Sequence, residues 1–102
     1  MAQTIPTPES SLGKPLRATA GSLESNDIFI ALAPGEPGGN EITLESIVMK
    51  QFGPAILRVI EESLAEHDLT GVTVTAQDKG ALDCTIRARM EAAIRRYKEA
   101  RS

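Results

Sequence analysis

The chain has 102 residues, of which 41% are apolar, 25% charged and 3% aromatic, with a formal net charge of −3; this is the composition of one ordinary soluble domain. A single cysteine, Cys84, excludes an internal disulfide, and with a single histidine, His67, it excludes a zinc site of ordinary spacing. No apolar run approaches the length of a membrane span and no apolar stretch follows basic residues at the N-terminus, so a cytoplasmic protein is expected.

Residues 1–19 belong to a stretch that holds three of the six prolines and almost no periodic apolar residues. They read as a flexible N-terminal tail outside a folded domain over 20–102. "DIFIALAP" (27–34) is a short apolar run of β-formers and reads as a strand. "GEPGGN" (35–40) is dense in breakers, and "EITLESI" (41–47) alternates polar and apolar, so the two runs are expected to form a hairpin. Val48, Phe52, Ile56, Val59, Ile60 and Leu64 then recur at helical spacing, with the long helix expected to begin near Gly53-Pro54. Val72 and Val74 alternate with Thr73 and Thr75 in a further strand that Asp78-Lys79-Gly80 closes. From Ala81 to about Arg101, Leu82, Ile86, Met90, Ala93, Ile94 and Tyr97 share one face of a second amphipathic helix. The order is β-β-α-β-α, a small two-layer α+β domain.

Charge is uneven along the chain. Residues 1–80 carry five basic and eleven acidic side chains, whereas residues 81–102 carry six basic and three acidic ones. Arg87, Arg89, Arg95, Arg96 and Arg101 on the last helix raise the possibility of nucleic-acid binding. The acidic total, the near absence of stacking aromatics and the lack of a standard motif favour a solvated or protein-docking face instead.

Catalytic constellations are not evident. Cys84 follows Leu82 on a mostly apolar face and reads as a buried, inert thiol. His67 ends a helix beside Asp68, where a capping or solvated role is the default. Gly38-Gly39 lies between strands and is weak as a nucleotide signal. A chain without its own active site can still take part in chemistry by carrying a reacting group on an exposed nucleophile. Ser63 lies deep in a helix with its hydroxyl toward its own turn, which rules it out for that task. Ser25 sits in a polar loop just before the first strand; taken alone, Ser25-Asn26-Asp27 reads as an ordinary turn.

Three stretches change that balance. "AGSLESNDIFI" (20–30), "MKQFGPAI" (49–56) and "DKGALDCTIRARMEAA" (78–93) resemble, in order and spacing, the acyl carrier protein (γ subunit) family of citrate lyase, over about residues 19–101. The resemblance implies a fold distinct from the four-helix acyl carrier bundle and a non-catalytic carrier subunit. It implies that Ser25 is esterified by 2'-(5''-phosphoribosyl)-3'-dephospho-CoA, whose thiol holds acetyl and then citryl as a thioester while citrate is cleaved to acetate and oxaloacetate. The implied partners are the citrate CoA-transferase (α) and citryl lyase (β) subunits and a prosthetic-group transferase, with no nucleic acid, metal or membrane. Ser22 matches a position that accepts threonine and is expected to be structural, and Asn26 stands where relatives often carry another serine.

For Glu24 and Asp27 two readings stay open, recognition by basic partner surfaces or simple solvation of the loop. For Lys79, Arg87 and Arg89, docking a partner or steadying the arm's phosphates competes with a solvated face, which is favoured for each. Citramalate lyase and malonate decarboxylase carriers are the related alternatives, and an interaction domain built on the arginine helix is the unrelated one.

Overall fold

A computed structural model describes residues 17–101; the remainder of the expected tail and Ser102 lie outside the described residues. The elements are β1 (Ala18–Gly21), β2 (Ile28–Pro34), β3 (Glu41–Ser46), α1 (Met49–Glu66), β4 (Val72–Asp78) and α2 (Asp83–Arg101). The expected β-β-α-β-α succession forms the last five elements, and one short strand precedes it.

The four strands make one sheet in the order β1-β2-β4-β3. Pairing is antiparallel for β1–β2 and β2–β4 and parallel for β3–β4. The hairpin therefore joins β1 to β2 through residues 22–27, and the expected hairpin between 27–34 and 41–47 does not form. The reason lies in the 35–40 connection, which spans the start of β4 instead of turning tightly. Gly35 N–H donates to the Gly71 carbonyl (2.8 Å) and Gly71 N–H to the Gly39 carbonyl (2.9 Å). The Asn40 amide donates to Leu69 O (2.9 Å) and accepts from Val72 N–H (3.1 Å). β4 thereby takes the place beside β2, and the α1 crossover makes β3 its parallel neighbour, as such a connection requires.

Alternation along the strands gives the sheet one apolar face. Ala18 and Ala20, then Ile28, Ile30 and Leu32, then Val72, Val74 and Ala76 are buried, and half-buried Ile42 and Leu44 complete the layer. Both helices cover this face, α2 over β1 and β2, α1 over β3 and against α2. They contribute Ile56, Val59, Ile60 and Leu64 from α1 and Ile86, Met90, Ala93, Ile94 and Tyr97 from α2.

Three local expectations need correction. α1 is continuous from Met49 although it contains Pro54. The hydrogen bond that proline forgoes is the one to the carbonyl of Lys50, early in the helix and on an exposed side, where the loss is tolerable. Phe52 and Leu82, placed by spacing on core faces, are 55% and 70% exposed. Phe52 lies in the first turn of α1, and Leu82 precedes α2 altogether, so each falls beyond the region the sheet covers. Cys84, expected to be buried, is exposed: it is the second residue of α2, on the side away from Ile86 and Met90.

Candidate functional site: the loop between β1 and β2

Ser25 stands at the corner of a β-turn closed by Asp27 N–H donating to Glu24 O (3.1 Å). The other corner is Asn26, with φ +67°. A type II turn needs a positive φ at that position, and asparagine tolerates it better than most residues. Ser25 is exposed, and among the described residues its hydroxyl makes no hydrogen bond.

Ser22 differs. Its hydroxyl donates to Asp27 Oδ2 (2.7 Å) and accepts from Glu24 N–H (3.2 Å). That engagement agrees with a structural role and suits threonine equally, since only the hydroxyl is used.

Asp27 is the hub of the loop. Its Oδ1 accepts from its neighbour Ile28 N–H (2.7 Å), and Arg89 on α2 donates to both carboxylate oxygens, at 2.9 Å and 3.3 Å. The Arg89 hydrogen bond first, and the Ser22 hydroxyl next, hold the Asp27 carboxyl at about 2, below its ordinary 3.8. Asp27 thus does more than solvate the loop; it fixes the loop to α2.

A second anchor is main-chain. Asn26 N–H donates to Lys79 O (2.8 Å), and Lys79 N–H donates to Asp27 O (2.9 Å), which sews the turn to the β4–α2 connection. That connection is held by Asp78, 2% exposed, whose Oδ1 accepts from Ala81 N–H (2.9 Å) and whose Oδ2 accepts from the Ser46 hydroxyl (2.8 Å). Ser46 in turn accepts from Val48 N–H (3.0 Å), ahead of α1. The close approach of the strands at the loop also requires glycine at position 21. Its φ is +87°, and a Cβ there would lie 1.8 Å from Ile28 O.

The result is a hydroxyl on an anchored but open turn, without a hydrogen-bond partner among the described residues and exposed to solvent. The other candidates do not assemble into a site. His67 caps the C-terminal end of α1, and its carbonyl accepts from Lys98 Nζ (2.7 Å). Lys98 is fourteen residues along α2 from Cys84, roughly 20 Å by helical rise, so Cys84 and His67 sit at opposite ends of the helical layer. Ser63 is buried and donates to Val59 O (2.9 Å), as its place in the helix implied. No helix among the described residues is long and apolar enough to cross a membrane, and no cluster of His, Cys, Asp and Glu among them could hold a metal ion.

Residues 16–97, which span every element up to the last turn of α2, match the acyl carrier (ACP) family model described as malonate decarboxylase delta subunit (MdcD). The citrate lyase acyl carrier protein of Latilactobacillus sakei subsp. sakei is 54% identical over 79 residues, 78% of this chain and 77% of its own length. The chain belongs to the citrate lyase acyl carrier protein family. Its counterparts in Streptococcus uberis and Albidiferax ferrireducens are 57% and 48% identical over the same 78% of this chain, covering 77% and 81% of their own lengths. A chain in the crystal structure of a Pseudomonas malonate decarboxylase hetero-tetramer in complex with malonate shares the fold of this carrier. The TM-score is 0.69 at 24% identity, over 86% of this chain and 89% of that one.

The pairing of Asp27 with Arg89 is not legible in the sequence. Both lay within the stretches that carry the resemblance, but a contact across 62 positions has no signature in spacing alone.

Proposed function

We propose that this acyl carrier protein is the carrier subunit of a citrate lyase, loaded on Ser25. The carrying observation is the contrast between two serines three positions apart on one loop. Ser22 is bound into the Asp27 hub, while the Ser25 hydroxyl is exposed at a turn corner and has no hydrogen-bond partner among the described residues.

The arm expected there, 2'-(5''-phosphoribosyl)-3'-dephospho-CoA, joins through a phosphodiester, and the residues present fit such a link. Ser25 supplies the ester oxygen. Lys79, whose main chain is sewn to the turn, brings a cation that has no ion-pair partner among the described residues. When bound, the arm supplies a thiol that holds acyl groups as thioesters. The chain's own residues do the mounting: Arg89, Asp27 and Ser22 hold the loop, and Ser25 faces outward so that transferase and lyase subunits can each reach what it carries. Tethering raises the effective concentration at each of those sites without a new contact.

The basic-helix alternative is less supported, because the cations of α2 are largely engaged within the chain. Arg87 pairs with Glu62 (2.6 Å), Arg89 with Asp27, Arg96 donates to Thr19 O (2.7 Å), and Arg101 lies over the Tyr97 ring. Substrate choice belongs to partner subunits. Loaded carrier combined with citrate CoA-transferase and citryl lyase subunits is expected to turn citrate into acetate and oxaloacetate. Turnover only with malonate decarboxylase subunits and malonate would replace this assignment with the related one.

A further inference from the structure

Exposed large hydrophobic side chains among the described residues gather around one end of the domain. Leu23 lies in the Ser25 loop, Ile47, Met49 and Phe52 where β3 passes into α1, and Leu82 where β4 passes into α2; each is 42–70% exposed. Nothing in the fold requires them there, since the core is closed without them.

Between these connections runs a cleft of about 350 Å³, with Val48, Phe52 and Ala55 on one side and Gly80 and Leu82 on the other. Its size falls at the low end for small-molecule sites, about 300–1,000 Å³. Asp83 is its one charged lining residue, and that carboxylate makes no hydrogen bond with the described residues. The cleft adjoins the Ser25 turn. Asn26 N–H is bonded to Lys79, and at the next residue, Gly80, a Cβ would project to 3.7 Å from Asn26 Oδ1 and 3.6 Å from Ile47 Cδ1. Gly80, whose φ of +94° favours glycine, therefore lies between the turn and the cleft.

The lining selects among ligand chemistries. It offers an aromatic ring, aliphatic walls and one acceptor, but no side-chain donor. An amide-bearing chain carries its polar groups along its whole length and has no flat face to set against the ring. A purine base instead presents two apolar faces and an exocyclic amine that needs an acceptor. In the proposed arm the adenosine lies one phosphoribosyl unit from the serine, whereas the thiol lies at the far end. A short tether beside an adjoining cleft gives a high effective concentration, so a weak site suffices.

We infer that this cleft holds the adenosine portion of the arm on Ser25. Phe52 supplies the stacking face and Asp83 accepts from the amine, so that the thiol end alone remains free to move between active sites. The inference rests on the carrier reading and deepens it.

The test compares NMR spectra of the full chain before and after loading by the prosthetic-group transferase, with intact mass recorded for each sample. The expected result is shifts at Val48, Phe52, Ala55 and Leu82 and cross-peaks from the adenine protons to Phe52. Shifts confined to residues 22–27 in a fully loaded chain overturn the inference and leave the carrier reading intact. Failure to load, with a transferase active on another carrier, overturns the carrier reading itself. Phe52→Ser and Leu82→Ser change exposed side chains and are expected to load normally while the loading-induced shifts at Val48 and Ala55 collapse. Free adenosine added to unloaded Phe52→Ser is expected to bind at least about fivefold more weakly than to the parent chain, the loss a base suffers without its aromatic partner. Loading-induced shifts at Val48 and Ala55 that persist unchanged in both variants contradict the inference, as does titration in which pantetheine shifts the cleft residues and adenosine does not.

Discussion

Arg89 grips Asp27 with two hydrogen bonds, 2.9 Å and 3.3 Å, across 62 positions of sequence, and so ties the loop that presents Ser25 to the middle of α2. A planar guanidinium opposite a carboxylate fixes orientation as well as distance. Lysine at 89 would keep the charge and lose the fork. Arg89→Lys is therefore expected to leave the fold intact while amide exchange at Glu24, Asn26 and Asp27 quickens relative to core strands. Hydrogen exchange followed by NMR checks this; unchanged protection in the loop would show that Lys79 and Ser22 suffice.

Asp27→Ala removes the acceptor for Ile28 N–H, the Ser22 hydroxyl and Arg89 at once. The expected cost is about 2 kcal/mol in urea unfolding, the scale for losing hydrogen bonds to a charged group at a partly buried place. Ser22→Thr keeps the hydroxyl and is expected to stay within about 0.5 kcal/mol of the parent.

The depressed Asp27 carboxyl carries a pH signature. In the unfolded chain an aspartate titrates at about 3.9, whereas in the fold the Arg89 and Ser22 hydrogen bonds hold the Asp27 carboxyl down to about 2. Between those values the unfolded state binds more protons, so stability from this group is complete above about pH 4 and is lost as pH falls through 2. The stability difference between the parent and Asp27→Asn should be flat from about pH 5 to 7 and should narrow below about pH 4. Urea midpoints at several pH values measure it; a gap that widens on acidification would contradict the geometry.

Gly21 and Gly38 separate backbone strain from collision. Both have positive φ, +87° and +89°, but a Cβ at 21 would meet Ile28 O at 1.8 Å while one at 38 meets nothing within 4 Å. Gly38→Ala should cost about 1 kcal/mol, the strain of an L-residue in that region. Gly21→Ala should cost at least about 3 kcal/mol or displace the loop, since the strand pair itself must open. Thermal unfolding of the two variants side by side reads the difference.

The element types of the last five segments were legible because their periods are clear: alternation in 41–46 and 72–78, threes and fours in both helices. β1 was not legible. Its four residues, ATAG, have only alanine to bury, and alanine is a weak strand signal that yields buried Ala18 and Ala20 only once β2 lies beside them. The parallel place of β3 was hidden for a similar reason, since a breaker-rich connection looks the same whether it turns back or steps over a strand. Ser25 was picked out by resemblance and by its setting in a polar loop. The meaning of "DKGALDCTIRAR" became plain only in three dimensions: Asp78 holds the connection, Lys79 sews it to the turn, and Arg89 clamps Asp27.

The most direct measurement is the intact mass and peptide map of the chain after exposure to an active prosthetic-group transferase, run in parallel on Ser25→Ala and Ser22→Ala. One added phosphoribosyl-dephospho-CoA is expected on the Ser25 peptide, retained in Ser22→Ala and absent from a folded Ser25→Ala. Loading of Ser25→Ala to the parent level, or a parent chain that never acquires the group, would contradict that expectation.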